Sequence, residues 1–423
     1  MTRLCYCLAC LPGNLICYLI CYLVCCPSAL LGADSWPGFR GPRGDGHAPA
    51  ADLPLQWSAT KNVTWSQPIP GEGWSSPVVK AGHVYLTAAV PIDESEDYSL
   101  RLISLRTDTG QVTESIEVFR QLASTAPKIH FKNGHASPTP LIEDGKIYVH
   151  FGHQGTACLD LRGNILWRNR MSYAPVHGNG GSPVLVGDAL IFSCDGSEEP
   201  FVVALDKQSG KVLWKTPRQT DAVKTFSFST PTAIDVNGQR QVISPGSNAV
   251  CALDPQTGRE IWRVTYDGYS VVPKPIYGHG LVFVCTGWSP PKLLAIRPDG
   301  QGDVTATHVE WRTDRRVPNT PSPLLVDQAL YMVADNGVAT CLDASGGKVH
   351  WQKRLGGTYS ASPLYVGGKI YFQSEQGDTT VIEAATRFRK LGESSLGQRT
   401  FASYAIADGA LFLRSDSHLH RIE

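Results

Sequence analysis

Methionine is scarce in this 423-residue chain, which holds only 3. Neither sign of charge is in excess: 38 Lys and Arg stand against 38 Asp and Glu, and charged residues make up only 18%. That balance argues against nucleic acid as a partner, because a polyanion binder carries a basic excess. No sustained helical period runs through the chain, which speaks against a bundle or a coiled coil. Beyond Cys25-Cys26 no two cysteines are adjacent. Gly (41) and Pro (29) are abundant, yet together they stay below the level of low-complexity disorder. Such a composition suits a turn-rich β protein.

Residues 1–33 have the order of a secretory signal peptide. Arg3 is followed by an apolar stretch from Leu15 to Cys26, and Leu31-Gly32-Ala33 offers a small-residue cleavage site before Asp34. Pro12-Gly13-Asn14 breaks the apolar run, which leaves it short of the ~20 residues a span needs. The expectation is an exported protein of the periplasm or cell envelope. Membrane contact is expected only if this segment is retained as an anchor or lipidated at Cys25 or Cys26. Seven of the twelve cysteines lie here. The remaining five, Cys158, Cys194, Cys251, Cys285 and Cys341, are an odd number, so at least one is unpaired or bridges to another chain.

The rest of the chain repeats one pattern. A small residue and Pro open an apolar strand that ends in a Gly turn, and a second apolar strand follows. A short strand then ends in Leu-Asp, and after another Gly turn a fourth strand ends in Trp. Clear copies begin at Pro183, Pro231 and Pro323, and weaker ones at Pro77, Pro140, Pro275, Pro363 and Tyr404. After a first step of 63 residues the spacing is 40 to 48. That period, with four short strands, marks a β-propeller blade. Cys158, Cys251 and Cys341 take the third-strand slot of blades two, four and six, and Cys194 and Cys285 the second strand of blades three and five. None of these blades are neighbours within either set, so free buried thiols are expected.

The eighth copy stops after three strands, and Asn62-Val63-Thr64-Trp65-Ser66 has the fourth-strand pattern. We therefore expect an all-β, eight-bladed propeller of four-stranded antiparallel blades over residues 62–423. Residues 62–68 would complete the C-terminal blade and remove an open sheet edge. Residues 34–61 form an N-terminal extension. Trp65, Trp167, Trp214, Trp262, Trp311 and Trp351 are expected to be structural covers between blades. Asp160, Asp206, Asp254 and Asp343 belong to Asx turns, and Gly163, Gly210, Gly258 and Gly347 to positive-φ positions. A closed ring of this kind can stand alone as a monomer.

The Ala-Leu-Asp-x-x-x-Gly-x-x-x-Trp unit of Ala204–Trp214 and Ala252–Trp262 resembles the repeat of pyrroloquinoline-quinone-type propellers. Trp36-Pro37-Gly38-Phe39-Arg40-Gly41-Pro42 is similar to the opening of envelope proteins carrying this repeat. The resemblance implies one of two branches. Quinone- and Ca²⁺-dependent dehydrogenases of alcohols or sugars form one; non-catalytic scaffolds, such as the periplasmic one of the outer-membrane β-barrel assembly machine, form the other. No ligand set of Glu, Asn and Asp matches a dehydrogenase motif here, and the adjacent-cysteine disulfide that soluble dehydrogenases often carry has no counterpart. We expect the non-catalytic branch, with no catalytic residue, no metal and no cofactor, and keep pyrroloquinoline quinone with Ca²⁺ as the alternative.

The loops entering each blade and those joining its second and third strands share one face. On that face His135, His153, His177, Asp195, Lys224, Arg315, Asn319 and Arg399 are candidates to bind an envelope protein or a polar ligand at the channel mouth. Three imidazoles on one rim could also bind a metal, and a hydrolase built on them would need all three within reach of one point.

Overall fold

The computed structural model describes residues 35–423 apart from Glu94 and Ser289, so the expected signal segment lies outside the described residues. Eight four-stranded blades form a ring. Blade one runs Val78–Lys80, His83–Pro91, Tyr98–Arg106 and Val112–Gln121. Blades two to seven follow with the same order, their first strands at Leu141–Glu143, Val184–Val186, Thr232–Val236, Ile276–Gly278, Leu324–Val326 and Leu364–Val366. Blade eight takes Ala405–Ala407, Ala410–Arg414 and His418–Ile422 from the C-terminal end, and Val63–Pro68 as its outer strand. Val63 faces Ile422 and Pro68 faces His418 in antiparallel register, so the ring closes as the repeat pattern requires.

The Trp and Gly positions explain each other. The indole of Trp167 lies against Gly210 of the next blade, that of Trp214 against Gly258, and that of Trp311 against Gly347. A Cβ on Gly210 would stand 2.4 Å from the Trp167 ring, and its φ of 69° is one L side chains avoid. Each indole N–H also ties two blades: Trp65 donates to the Thr107 carbonyl, Trp167 to Lys207, Trp214 to Pro255, Trp311 to Ala344 and Trp351 to Ala385. Trp262 departs from this and donates to Gln241 Oε1 within its own blade. Burying roughly 200 Å² per indole contributes about 5 kcal/mol as an upper bound. The Asp of each turn accepts backbone N–H groups, as Asp254 Oδ1 does from Gln256 and Thr257. All five cysteines among the described residues are buried free thiols on the expected strands.

Residues 35–48 were expected only as an extension, and the structure gives them a place in the fold. They form a strap across the channel. Trp36 exchanges two backbone hydrogen bonds with Val79 of blade one, and Ile142 of blade two donates to the Pro37 carbonyl. Arg40 Nη1 then reaches the Pro323 carbonyl of blade six at 2.7 Å. His47–Ala48 pairs in parallel with the first strand of blade seven. Leu53 and Trp57 continue under that blade and are buried there.

Candidate functional site

The residue before each repeat Pro, or before Tyr404 in blade eight, stands two positions ahead of its blade's first strand, and these eight residues form a ring around the channel. The backbone N–H of Ser76 donates to Thr139 Oγ1, that of Thr139 to Ser182 Oγ, and that of Ser182 to Thr230 Oγ1, at 2.9 to 3.0 Å. On the other side Lys274 donates to Ser322, Ser322 to Ser362, Ser362 to Ser403, and Ser403 back to Ser76, at 2.9 to 3.1 Å. Blade five breaks the pattern, because Lys274 stands where its seven counterparts carry a hydroxyl. The Lys274 side chain is buried and its Nζ lies beside Gly44 of the strap. Burial, aided by the nearby Arg40 charge, lowers its pKa to about 7. Arg40 is buried as well, and burial brings it down to about 10.

Above the ring lies a chamber of about 580 Å³, within the usual size of small-molecule sites. The strap closes it below through Phe39, and all seven ring hydroxyls line it. Its walls are aromatic. Trp74 packs on Phe401 at 4.6 Å, and Phe226 packs on Phe228 and Tyr269 at 6.0 and 5.9 Å. Two cations rest on these walls: Lys224 lies 4.2 Å over Tyr269, and Arg399 lies 4.5 Å over Phe401.

The loop that enters blade two reaches over the mouth. It pairs with blade three's approach through Ile129 and His177. On the far side Arg399 donates to the Phe131 carbonyl, and Lys132 forms an ion pair with Glu375 of blade seven at 2.7 Å. Burial would raise the Glu375 pKa, but hydrogen bonds from Lys132, Ser360 and Thr358 outweigh that and hold it below the usual range. Asp335 is engaged by the Asn319 N–H and the Thr320 hydroxyl.

The candidate residues fall into separate places. Lys224, Asn319 and His177 line the chamber, and Arg399 backs its aromatic wall. His177 packs against His130 and Phe226, whereas His135 packs against Tyr98. His153 is bonded to Gln154, and burial lowers its pKa, with the His135 charge adding to the effect. Among the described residues no three His, Cys, Asp or Glu side chains converge as a metal group. Asp195 is buried in an ion pair with Arg218 at 2.7 Å, and Arg218 also holds Ser244 of blade four. Arg315 is exposed outside the chamber. Phe226, Phe228, Phe401, Lys132 and Phe39 were not singled out from sequence; the repeated Ser/Thr-Pro was the available signal for the ring beneath them.

A quinone with Ca²⁺ needs several hard oxygen ligands turned to one point. The residues present do not fit that pair: the carboxylate lining the chamber, Asp335, and its neighbour Glu375 are both held by protein donors.

The family model described as outer membrane protein assembly factor BamB matches residues 53–199, 95–233, 198–301 and 301–415. Among curated proteins, outer membrane protein assembly factor BamB of Moranella endobia is 21% identical over 59% of this chain and 62% of its own length. That of Yersinia pestis is 24% identical over 53% of this chain and 57% of its own. The chain thus spans about three fifths of the curated relatives it matches. Among solved structures, BamB from Moraxella catarrhalis aligns with a TM-score of 0.58 at 12% identity, covering 85% of this chain and 99% of that one. Quinohemoprotein alcohol dehydrogenase from Comamonas testosteroni aligns at 0.65 and 13%, covering 92% and 80%. At these identities the structures show a shared fold, and that fold serves both a BamB and an oxidoreductase.

Proposed function

We propose that this chain, which belongs to the outer membrane protein assembly factor BamB family, is an exported, non-catalytic propeller that acts as a binding or scaffold module in the cell envelope. The chamber and its rim are the binding surface. One observation carries this reading: the carboxylates at the mouth, Asp335 and Glu375, are committed to holding the loops together, while Phe131 and Trp288 stand 68% and 53% exposed around the opening. Exposed aromatics around a preformed concavity are what a recognition surface offers a partner. The rigid ring supplies the platform, and loops of unequal length supply selectivity.

The test is a crosslinking pull-down from envelope fractions with the wild-type chain and with Trp288→Ala. A partner captured by the first and lost by the second supports the reading. Calorimetry with pyrroloquinoline quinone and Ca²⁺, followed by a dye-linked oxidation assay on an alcohol panel, decides the opposite outcome. Tight binding with turnover would replace the scaffold reading with an oxidoreductase.

A further inference from the structure

We propose that the chamber binds a saccharide of one or two rings, free or as the end of a longer glycan. The inference rests on the binding-module reading and names the chemistry of its ligand. The floor carries the argument. Each of the seven ring hydroxyls accepts one backbone N–H from the neighbouring blade. Among the described residues none of these hydroxyls donates its own proton to a protein acceptor. A hydroxyl has one O–H and two lone pairs, so each keeps one donor and one acceptor site free toward the channel. Buried hydrogen-bonding capacity of this kind is costly to leave unused.

A polyol matches a ring that both gives and takes hydrogen bonds. A carboxylate or phosphate only accepts, and the floor presents it no cation, because Lys274 turns beneath to Gly44. The walls fit the same ligand. The C–H face of a sugar ring is apolar and weakly positive, and it stacks on the negative face of an aromatic ring; Trp74 with Phe401 and Phe226 with Tyr269 offer such faces on the chamber wall. Lys224 and Arg399, paired with no carboxylate among the described residues, sit at the rim where an acidic substituent would emerge. Nothing here requires turnover: the ligand is held, not oxidised.

The experiment titrates the purified chain with glucose, N-acetylglucosamine, cellobiose and glucuronic acid, and with oligosaccharides of the same units. Calorimetry is read beside tryptophan fluorescence, to which Trp74 and Trp288 on the chamber lining contribute among the chain's 10 Trp. Saturable binding with a fluorescence change supports the proposal. Phe226→Leu keeps an apolar wall without the aromatic face, and it should weaken binding at least tenfold at unchanged thermal stability. Trp288→Ala, at an exposed position, is the second variant and should alter the fluorescence response. Equal affinity for short and long sugars assigns a free saccharide; tenfold tighter binding of the oligosaccharides assigns a glycan end. No binding by any sugar, or binding that Phe226→Leu leaves unchanged, overturns the proposal. Envelope capture that persists in that case leaves the scaffold reading standing, so the two failures are separable.

Discussion

Replacing Lys274 by Ser tests the hub of the propeller, because it installs the residue type that the other seven blades use. In the folded chain burial, with Arg40 adding to the effect and Asp45 opposing it, holds Lys274 at about 7, against an ordinary 10.5. Asp45 is itself engaged by Arg43 and the His47 N–H. Between those two values the unfolded chain binds a proton that the folded chain does not. Wild-type stability should therefore rise with pH from 7 to 10.5, by up to about 1.4 kcal/mol per pH unit. At pH 7 the depressed lysine costs roughly 4 kcal/mol. Losing its buried stem returns about 2 kcal/mol of that, so Lys274→Ser should be net stabilising by about 2 kcal/mol. With an unfolding entropy of about 0.8 kcal/mol per kelvin for a propeller of this size, Tm should rise by roughly 2–3 °C at neutral pH. Urea unfolding at pH 7, 8, 9 and 10 is the assay, and the slope against pH is the sharper readout. A variant that loses stability, or that keeps the wild-type slope, would refute the account of Lys274 as an unpaired buried cation.

Trp214→Ala should cost about 3–5 kcal/mol, since it empties the space over Gly258. Trp214→Phe should cost about 1–2 kcal/mol, because the Pro255 carbonyl loses its donor; equal losses from both in thermal unfolding would mean that packing alone matters there. Burial, with the His153 charge adding to it, lowers His150 to about 3, so the unfolded chain takes up a proton there first and stability should fall as pH drops from 6.5 toward 3. His150→Asn should flatten that fall by up to about 1.4 kcal/mol per pH unit, leaving the part due to the other histidines that burial lowers, among them His153 and His420, the latter brought to about 4. Lys132→Ala should change global stability by under about 1 kcal/mol, yet speed proteolytic cleavage within residues 122–134 several-fold; an unchanged cleavage rate would show that the Glu375 ion pair does not hold that loop down.

The eight blades, their strand order and the closing strand at residues 63–68 were legible in the sequence because each is written in local repetition. A Leu-Asp, a Gly and a Trp at fixed offsets specify a hairpin and its cover whatever surrounds them, and the same unit recurs at a near-constant step. The inert placement of the five cysteines followed from the same register. The candidate site was legible only in part. Lys224, Asn319 and His177 reach the chamber, but Asp195 sits in a buried pair with Arg218 that no local motif announces. The three histidines share a face by topology, yet loop conformation sends His177 to His130 and His135 to Tyr98.

What tertiary structure alone decided are the contacts between chain segments hundreds of residues apart. Arg40 finds Pro323, and Lys132 finds Glu375. Such pairs leave no period in the sequence, because each forms once and depends on the curvature of the whole ring. A repeat determines the blade; the closure of eight blades determines which loops meet over the channel and how the strap seals it.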